Sequence, residues 1–537
     1  MPHRPSGVRL GAVLAGTVGV ALAATATASP ALADGAPHGH RYYLDCSADG
    51  GPGDGSHAHP WTSLAQAGAH RYGPGDQLRI ARGTTCTGTL APTGAGSAAA
   101  PVRIGAYGTG ALPHLEGGGL HDTVLLRNME YVEVRDLEIT NSGGTPGTER
   151  NGVRLELADH GIGHHYVLSG LDVHAVRGGD FKTLTGSSGI QIDVAGTTTA
   201  SAFDDLRITG NRIRDVDREG IYFKSTFSRR DLVGDQQDPK AYPGPWTPST
   251  HVRIDHNTLT SIAGDAMKLD TTSGAVVEHN RVDGFQLRSR VANAGIWTFN
   301  TDDTLIQYNE VSGGGNSLDG MSFDADGASN HTVFQYNYSH DNKGGFLLNC
   351  PYSGAKTVDV VARYNISHND GARLLQNCWG PILNTQIYNN TFLNREVVPT
   401  YLVQDDAGSP ATTQHELTIR NNIFAGPGDT TDGSYRFKNP TPDLHFDHNV
   451  LYGVPGGVPA NTDGSGTNPG GSAADPRLIA ALAGADTSDS GSFRVARESA
   501  ALGLGVPVPD AGRHDYFGFP IPKRHPAAGA YQGPPVR

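Results

Sequence analysis

Helix-forming stretches are almost missing from this chain. Charged residues make up only 18% of its 537 positions, against 72 glycines and 33 prolines. No apolar pattern of helical period separates its short apolar runs, which excludes a helical bundle and argues against βαβ units. The profile is that of short strands joined by many turns. That favours a single repetitive architecture over the several domains that length alone suggests. Positive charge is also scarce: 41 Lys and Arg face 54 Asp and Glu, a net charge of −13. Such a chain is a poor partner for nucleic acid or an anionic membrane surface, although a local basic cleft would still accept an acidic sugar.

Long apolar runs are lacking as well. One, from Leu10 to about Ala24, follows Arg4 and Arg9 and precedes Ala31-Leu32-Ala33. Residues 1–33 therefore read as a secretory signal peptide, too short and too rich in Gly and Ala for a membrane span. A soluble, secreted protein is expected. Cysteine is limited to Cys46, Cys86, Cys350 and Cys378. Four cysteines allow three pairings, and with no C-x-x-C or His cluster beside them a zinc site is disfavoured.

What the chain has in place of helices is repetition. A pattern of an apolar residue, two variable residues, Asn and a variable residue recurs. It appears as ITGNRI (208–213), IDHNTL (254–259), VEHNRV (277–282), IQYNEV (306–311), FQYNYS (334–339), ARYNIS (362–367), IYNNTF (387–392), IRNNIF (419–424) and FDHNVL (446–451). Two earlier copies, VRDLEI (134–139) and LSGLDV (168–173), carry Leu at the Asn position. The Asn residues are 23 to 46 apart and cluster near 28. A further strand follows most copies, among them GIQIDV (189–194), GIYFKS (220–225), AMKLDT (266–271), GIWTFN (295–300), GMSFDA (320–325), GFLLNC (345–350) and ARLLQN (372–377).

Periods of this length with short strands mean a solenoid or a propeller, and most are too short for a four-stranded blade. The expected fold is all-β: a single-stranded right-handed parallel β-helix with an N-terminal cap. The boundaries expected are 34–100 for the cap and first coil, 101–460 for the coils, and 461–537 for a C-terminal coil and tail packing on the helix. The Asn column should stack at a tight turn, with the Asn itself in the left-handed conformation it tolerates and the amides bonding along the stack.

The Asn-ladder coils resemble the right-handed β-helix proteins of the pectate-lyase-like superfamily. HDYFGFPIPKRHPAAGAYQ (514–532) resembles the ending of secreted bacterial members. PWTSLAQA (60–67) and PGDQLRIARGTT (74–85) are similar to their cap and first coil. The resemblance implies a carbohydrate-active protein; it does not choose among hydrolases, lyases, esterases and non-catalytic members. In such coils Cys350 and Cys378, one period apart, would stack about 4.8 Å from each other, which suits a disulfide. Cys46 and Cys86 would then staple the cap.

Alternation in the later strand separates core residues from outward ones. Ile190 and Ile192, Ile221 and Phe223, Met267 and Leu269, Met321 and Phe323, and Phe346 and Leu348 should point in. Gln191 and Asp193, Tyr222 and Lys224, Lys268 and Asp270, Ser322 and Asp324, and Leu347 and Asn349 should point out. Residues 295–300 leave the phase open. Stacking gives an outward column of Asp193, Lys224, Asp270, Asp324, Asn349 and Gln376. Asp319, Asp324 and Asp326 crowd DGMSFDADG (319–327), where strands disfavour Asp. Asp319 reads as a turn residue, and the other two as outward.

Residues i and i+2 lie about 6.8 Å apart on a strand and two coils about 9.6 Å. Both fall near the 6.5–9.5 Å at which inverting glycosidases hold their carboxyl groups. Asp324 is therefore the expected catalytic acid or base, with Asp270 or Asp326 as its partner. Tyr222, Lys224, Trp246, Lys268, Trp297, Asn349 and Arg373 are the expected substrate-binding residues. Residues 227–250, an insertion carrying Tyr242 and Trp246, form a candidate lid.

The expected function is a secreted glycoside hydrolase acting on a poly- or oligosaccharide, with no required cofactor, no nucleic-acid or membrane partner, and a monomeric state. The alternatives are a polysaccharide lyase, with Lys224, Lys268 or Arg373 as base and Ca²⁺ on the carboxylates, and a non-catalytic glycan-binding solenoid.

Overall fold

The structure, a computed structural model, describes residues 39–536 apart from 146, 181–186, 237–241, 353, 396–400, 407–413, 427–434, 438–442, 455–467 and 480–489. The signal peptide expected over residues 1–33 lies outside the described residues. Among those described, no helix is long and apolar enough to cross a membrane.

Each typical coil gives three short strands to three parallel sheets, which contain 16, 13 and 11 strands among the described residues. In the coil that carries Asp324 these are Leu305–Gln307, Glu310–Gly314 and Met321–Asp326. The chain is a parallel β-helix, as the period predicts. Alternate side chains of all three sheets fill one interior, and Ile306, Val311 and Phe323 are fully buried there.

The Asn repeat marks the turn between the first and second strands. Asn257 donates its backbone N–H and its side-chain Nδ2 to Asn280 Oδ1 of the next coil at 3.0 and 2.9 Å, and Nδ2 also reaches the Ile208 carbonyl at 2.9 Å. The same three bonds recur at Asn280, Asn309, Asn337 and Asn365. The stacked amides therefore satisfy the buried turn. The Leu copies end the ladder: the Leu171 N–H donates to Asn211 Oδ1 at 3.0 Å. At the far end Asn449 donates to Asn468 Oδ1 at 3.0 Å.

The left-handed residue is not the Asn. It is the residue before it: His256, His279, Tyr308, Tyr336 and Tyr364, with φ between 51 and 57°. A side chain in that conformation costs roughly 1–2 kcal/mol. These rings stack from coil to coil at 5.0–6.1 Å, which offsets part of the cost.

The N-terminal cap contains the helix Leu64–Ala69, whose N-cap Ser63 accepts from the Gln66 N–H. Trp61 stacks on Tyr42 in the cap core. Both expected disulfides form, Cys46–Cys86 and Cys350–Cys378, with Cα separations of 5.4 and 4.6 Å. Near the C-terminus Phe493, Val495, Ala530 and Tyr531 pack on Tyr338, Ile366, Ile423 and Val450 of the second sheet.

Candidate functional site

The outer face of the 11-stranded sheet holds most of the candidate residues in two rows. In register, one runs Gln191, Tyr222, Lys268, Trp297, Asp324, Leu348 and Gln376. The row beside it carries Asp193 and Lys224, then Asp270 and Phe299, then Asp326 and Cys350. Trp297 and Phe299 point outward, and Thr298 and Asn300 are fully buried.

The expected column is therefore corrected in two places. Asp324 stacks on Trp297 and not in the row of Asp193, Lys224 and Asp270. Asn349 points inward, where its Nδ2 donates to Thr385 Oγ1 at 3.0 Å. Leu347 joins the core, while Leu348 and Met321 pack with Cys350 and Tyr352 outside it. Ser322 turns inward to the Ser339 hydroxyl at 2.6 Å. The physical reason is that a one-residue slip exchanges the faces of a strand, and the run Phe346-Leu347-Leu348 is apolar at every position, so it leaves the phase undetermined.

This face is not open to solvent. Lys268, Asp270, Asp324 and Asp326 are 3–5% exposed, so their charges lie at the floor of a covered groove and need partners there.

At one end of the groove Lys268 Nζ donates to Asp270 Oδ2 at 2.8 Å, and Asp270 Oδ1 accepts from the Thr271 hydroxyl at 2.8 Å. The rings of Tyr222, Trp297 and Phe299 lie 4.8, 5.0 and 5.3 Å from the ammonium. Lys268 is thus enclosed by aromatic rings and an ion pair. Asp270 is held in that pair and lies outside the row of Asp324. Behind Tyr222, the fully buried Arg218 pairs with Glu219 at 3.0 Å and with Asp265 at 3.6 Å.

Two coils on from Asp270, Asp326 Oδ2 accepts from the Tyr352 hydroxyl at 2.8 Å. Burial, followed by the charges of Asp326, Asp324 and Asp319, holds the Tyr352 phenol well above its ordinary range. It therefore stays protonated and donates. Asp319, read as a turn residue, is part of this group, and its backbone is left-handed at φ 65°. Arg373 clamps that turn, donating Nη2 to the carbonyls of Ser317 and Asp319 at 2.9 and 3.2 Å. Tyr352 left no signal in the repeat, because it lies on a connecting segment that only the third dimension brings back to the strand.

The insertion over 227–250 is described at both ends. Arg230 anchors it to the coils, reaching Asn300 Oδ1 at 2.5 Å, Asp302 Oδ1 at 2.8 Å and the Ala328 carbonyl at 2.7 Å. Trp246 stacks on the Arg230 guanidinium at 4.1 Å, so one ring face is taken by the anchor. Tyr242 lies 5.9 Å from Lys224 Nζ, and burial followed by the charge of Asp270 raises its phenol. Trp379, beside the Cys350–Cys378 disulfide, is half exposed. Among the described residues no group of three or more His, Cys, Asp or Glu side chains is arranged to hold a metal ion.

Comparisons with known proteins agree with this architecture. The family model "Right handed beta helix region" matches residues 188–392, which adds the handedness. The chain is 27% identical to a lacto-N-biosidase of Bifidobacterium longum subsp. longum, over 76% of this chain and 30% of that protein. It thus spans about a third of the length of that curated relative. A crystal structure of a GH136 lacto-N-biosidase from Eubacterium ramulus superposes with a TM-score of 0.60 at 24% identity, covering 74% of this chain and 68% of the other. Its selenomethionine derivative gives 0.58 at 25% identity, covering 68% and 67%.

Proposed function

We propose that this chain is a secreted glycoside hydrolase that cleaves an oligosaccharide in the groove of its 11-stranded sheet. The observation that carries the reading is the group of Asp319, Asp324 and Asp326 around the Tyr352 hydroxyl, one coil from the outward Trp297. Similarity to the Bifidobacterium lacto-N-biosidase supports the same reaction class. The two disulfides suit an oxidising, extracellular compartment.

In this mechanism Asp326, fixed by Tyr352, is the carboxylate that attacks the anomeric carbon or activates a water. One of its two neighbours protonates the leaving oxygen: Asp324 on the same strand, or Asp319 at the turn before it. Like charges held close favour one protonated and one ionised member. Trp297 supplies a ring face against a neighbouring sugar. Asp324 and Asp326, about 6.8 Å apart at Cα, have the wider spacing of an inverting pair. A pair that includes Asp319 is the arrangement a retaining reaction would use. The mechanism requires no metal, so activity should persist in EDTA.

The test is digestion of a glycan panel that includes oligosaccharides bearing lacto-N-biose, with Asp319→Asn, Asp324→Asn and Asp326→Asn beside the wild type. New reducing ends should appear, and Asp326→Asn should lower them by about a hundredfold or more. NMR of the first-formed anomer identifies the carboxylate pair. Full activity in Asp326→Asn, or absorbance of an unsaturated uronate in the product, would overturn the reading, the second in favour of a lyase.

A further inference from the structure

One cation on this face, the Lys224 ammonium, makes no direct ion pair among the described residues. Lys224 points outward beside Asp193 in register, with Nζ 5.9 Å from the Tyr242 ring. Three carboxylates bear on it: Asp270, Asp193 and Glu219. Each is in direct contact with another cation, although Arg154 also serves Asp122 and Glu156 and Arg218 also serves Asp180 and Asp265. Asp193 Oδ2 accepts from Arg154 Nε at 2.6 Å, Asp270 Oδ2 from Lys268 Nζ at 2.8 Å, and Glu219 Oε1 lies 3.0 Å from Arg218 Nε.

Their second oxygens are taken too. Asp193 Oδ1 accepts from Gln191 Nε2 at 2.6 Å, Asp270 Oδ1 from the Thr271 hydroxyl at 2.8 Å, and Glu219 Oε2 from the Asp265 N–H at 3.1 Å. The Lys224 ammonium makes no hydrogen bond or ion pair with another of the described residues. Lys268 cannot stand in for it, being closed inside its aromatic box. Burial and the neighbouring Lys268 push the Lys224 ammonium down to about 8, so it remains mostly protonated at neutral pH.

A half-buried ammonium among satisfied carboxylates, facing a groove with a tyrosine ring above it, is a receptor for an anion. We propose that Lys224 anchors a subsite for the carboxylate of an acidic sugar, a uronate or a sialic acid, with Tyr242 against the sugar ring. The inference rests on the hydrolase reading and narrows it. Lys224 lies three coils from Asp326 along the same row, about 14 Å at the spacing of stacked strands. The acidic residue would therefore sit some sugar units away from the cleaved bond, within one oligosaccharide.

The test reads binding without catalysis. In protein labelled with ¹³C-lysine, the Lys224 signal is assigned by its loss in Lys224→Met. It is then titrated with D-glucuronate, D-galacturonate and N-acetylneuraminate, with glucose and galactose as neutral controls. An acidic sugar should shift that signal and raise its titration midpoint by about half a unit or more. Affinity should fall about tenfold in Lys224→Met and be largely restored in Lys224→Arg, each variant melting as the wild type does. Asp326→Asn should bind the acidic sugars like the wild type, which keeps this result separate from the hydrolase test. No response of Lys224 at any soluble concentration, an equal response to the neutral sugars, or unchanged affinity in Lys224→Met overturns the proposal.

Discussion

Tyr352 and Asp326 are joined by a 2.8 Å hydrogen bond between neighbouring coils. Cys350, two residues before Tyr352, is the direct sheet partner of Asp326 and is itself bonded to Cys378 of the following coil. One disulfide thus fixes the segment whose phenol holds the central carboxylate. A buried charged acceptor gains about 1.5–3 kcal/mol from such a bond.

Replacing Tyr352 by Phe removes the donor and keeps the ring. Turnover on the best glycan should fall by about tenfold or more, with KM changed less than threefold, because the group held is one that acts in the transition state. Steady-state kinetics checks this. A rise in KM with turnover unchanged would mean that Tyr352 contacts substrate and does not position Asp326.

The two disulfides should separate. Opening Cys350–Cys378 with a double Ala variant should lower stability by about 2–4 kcal/mol and also reduce turnover, because Tyr352 loses its anchor. Opening Cys46–Cys86 should lower stability alone, since its coil is remote in sequence from the acids. Melting curves and initial rates on the two variants give the comparison.

Asn337 lies in mid-ladder. Its Oδ1 accepts both the N–H and the Nδ2 of Asn309 at 3.0 and 3.1 Å. Ala at this position strands a buried backbone N–H and breaks the stack in both directions, at a cost of about 2–4 kcal/mol. Asn449→Ala, at the end of the ladder, should cost less. Urea unfolding of both variants measures the difference.

His340 provides a pH signature. Burial opposes its charge, but hydrogen bonds to Asp341 and Glu310 outweigh that and push it up to about 9. A histidine raised above its unfolded value of 6.5 adds stability that is complete below pH 6.5 and disappears as pH rises through about 9. His340→Gln should therefore melt about 2–4 °C below the wild type at pH 6 and level with it at pH 10. Scanning calorimetry across that range reads it, and a gap that persists at pH 10 would rule out the ion-pair origin.

Much of the architecture was legible because it repeats. The spacing of Asn280, Asn309, Asn337 and Asn365 repeats once per coil, so the period, the turn and the pairing of Cys350 with Cys378 could be read from the order of residues. The groups at the site were legible only as a neighbourhood. Asp324, Asp326, Lys224 and Trp297 do share one face, yet Asp324 stacks on Trp297 and not in the row of Asp270, and Asn349 turns inward.

The sequence by itself determined what is local and periodic: strand alternation, the Asn turn, the scarcity of helix and the excess of acid. Only the tertiary structure decided what depends on phase and on chain return. Phase escapes the sequence where consecutive residues are all apolar, because burial then rewards either register. Chain return escapes it because Tyr352 meets Asp326, and Arg154 takes Asp193 and leaves Lys224 unmatched, through contacts set by stacking between coils and by the segments that join their strands.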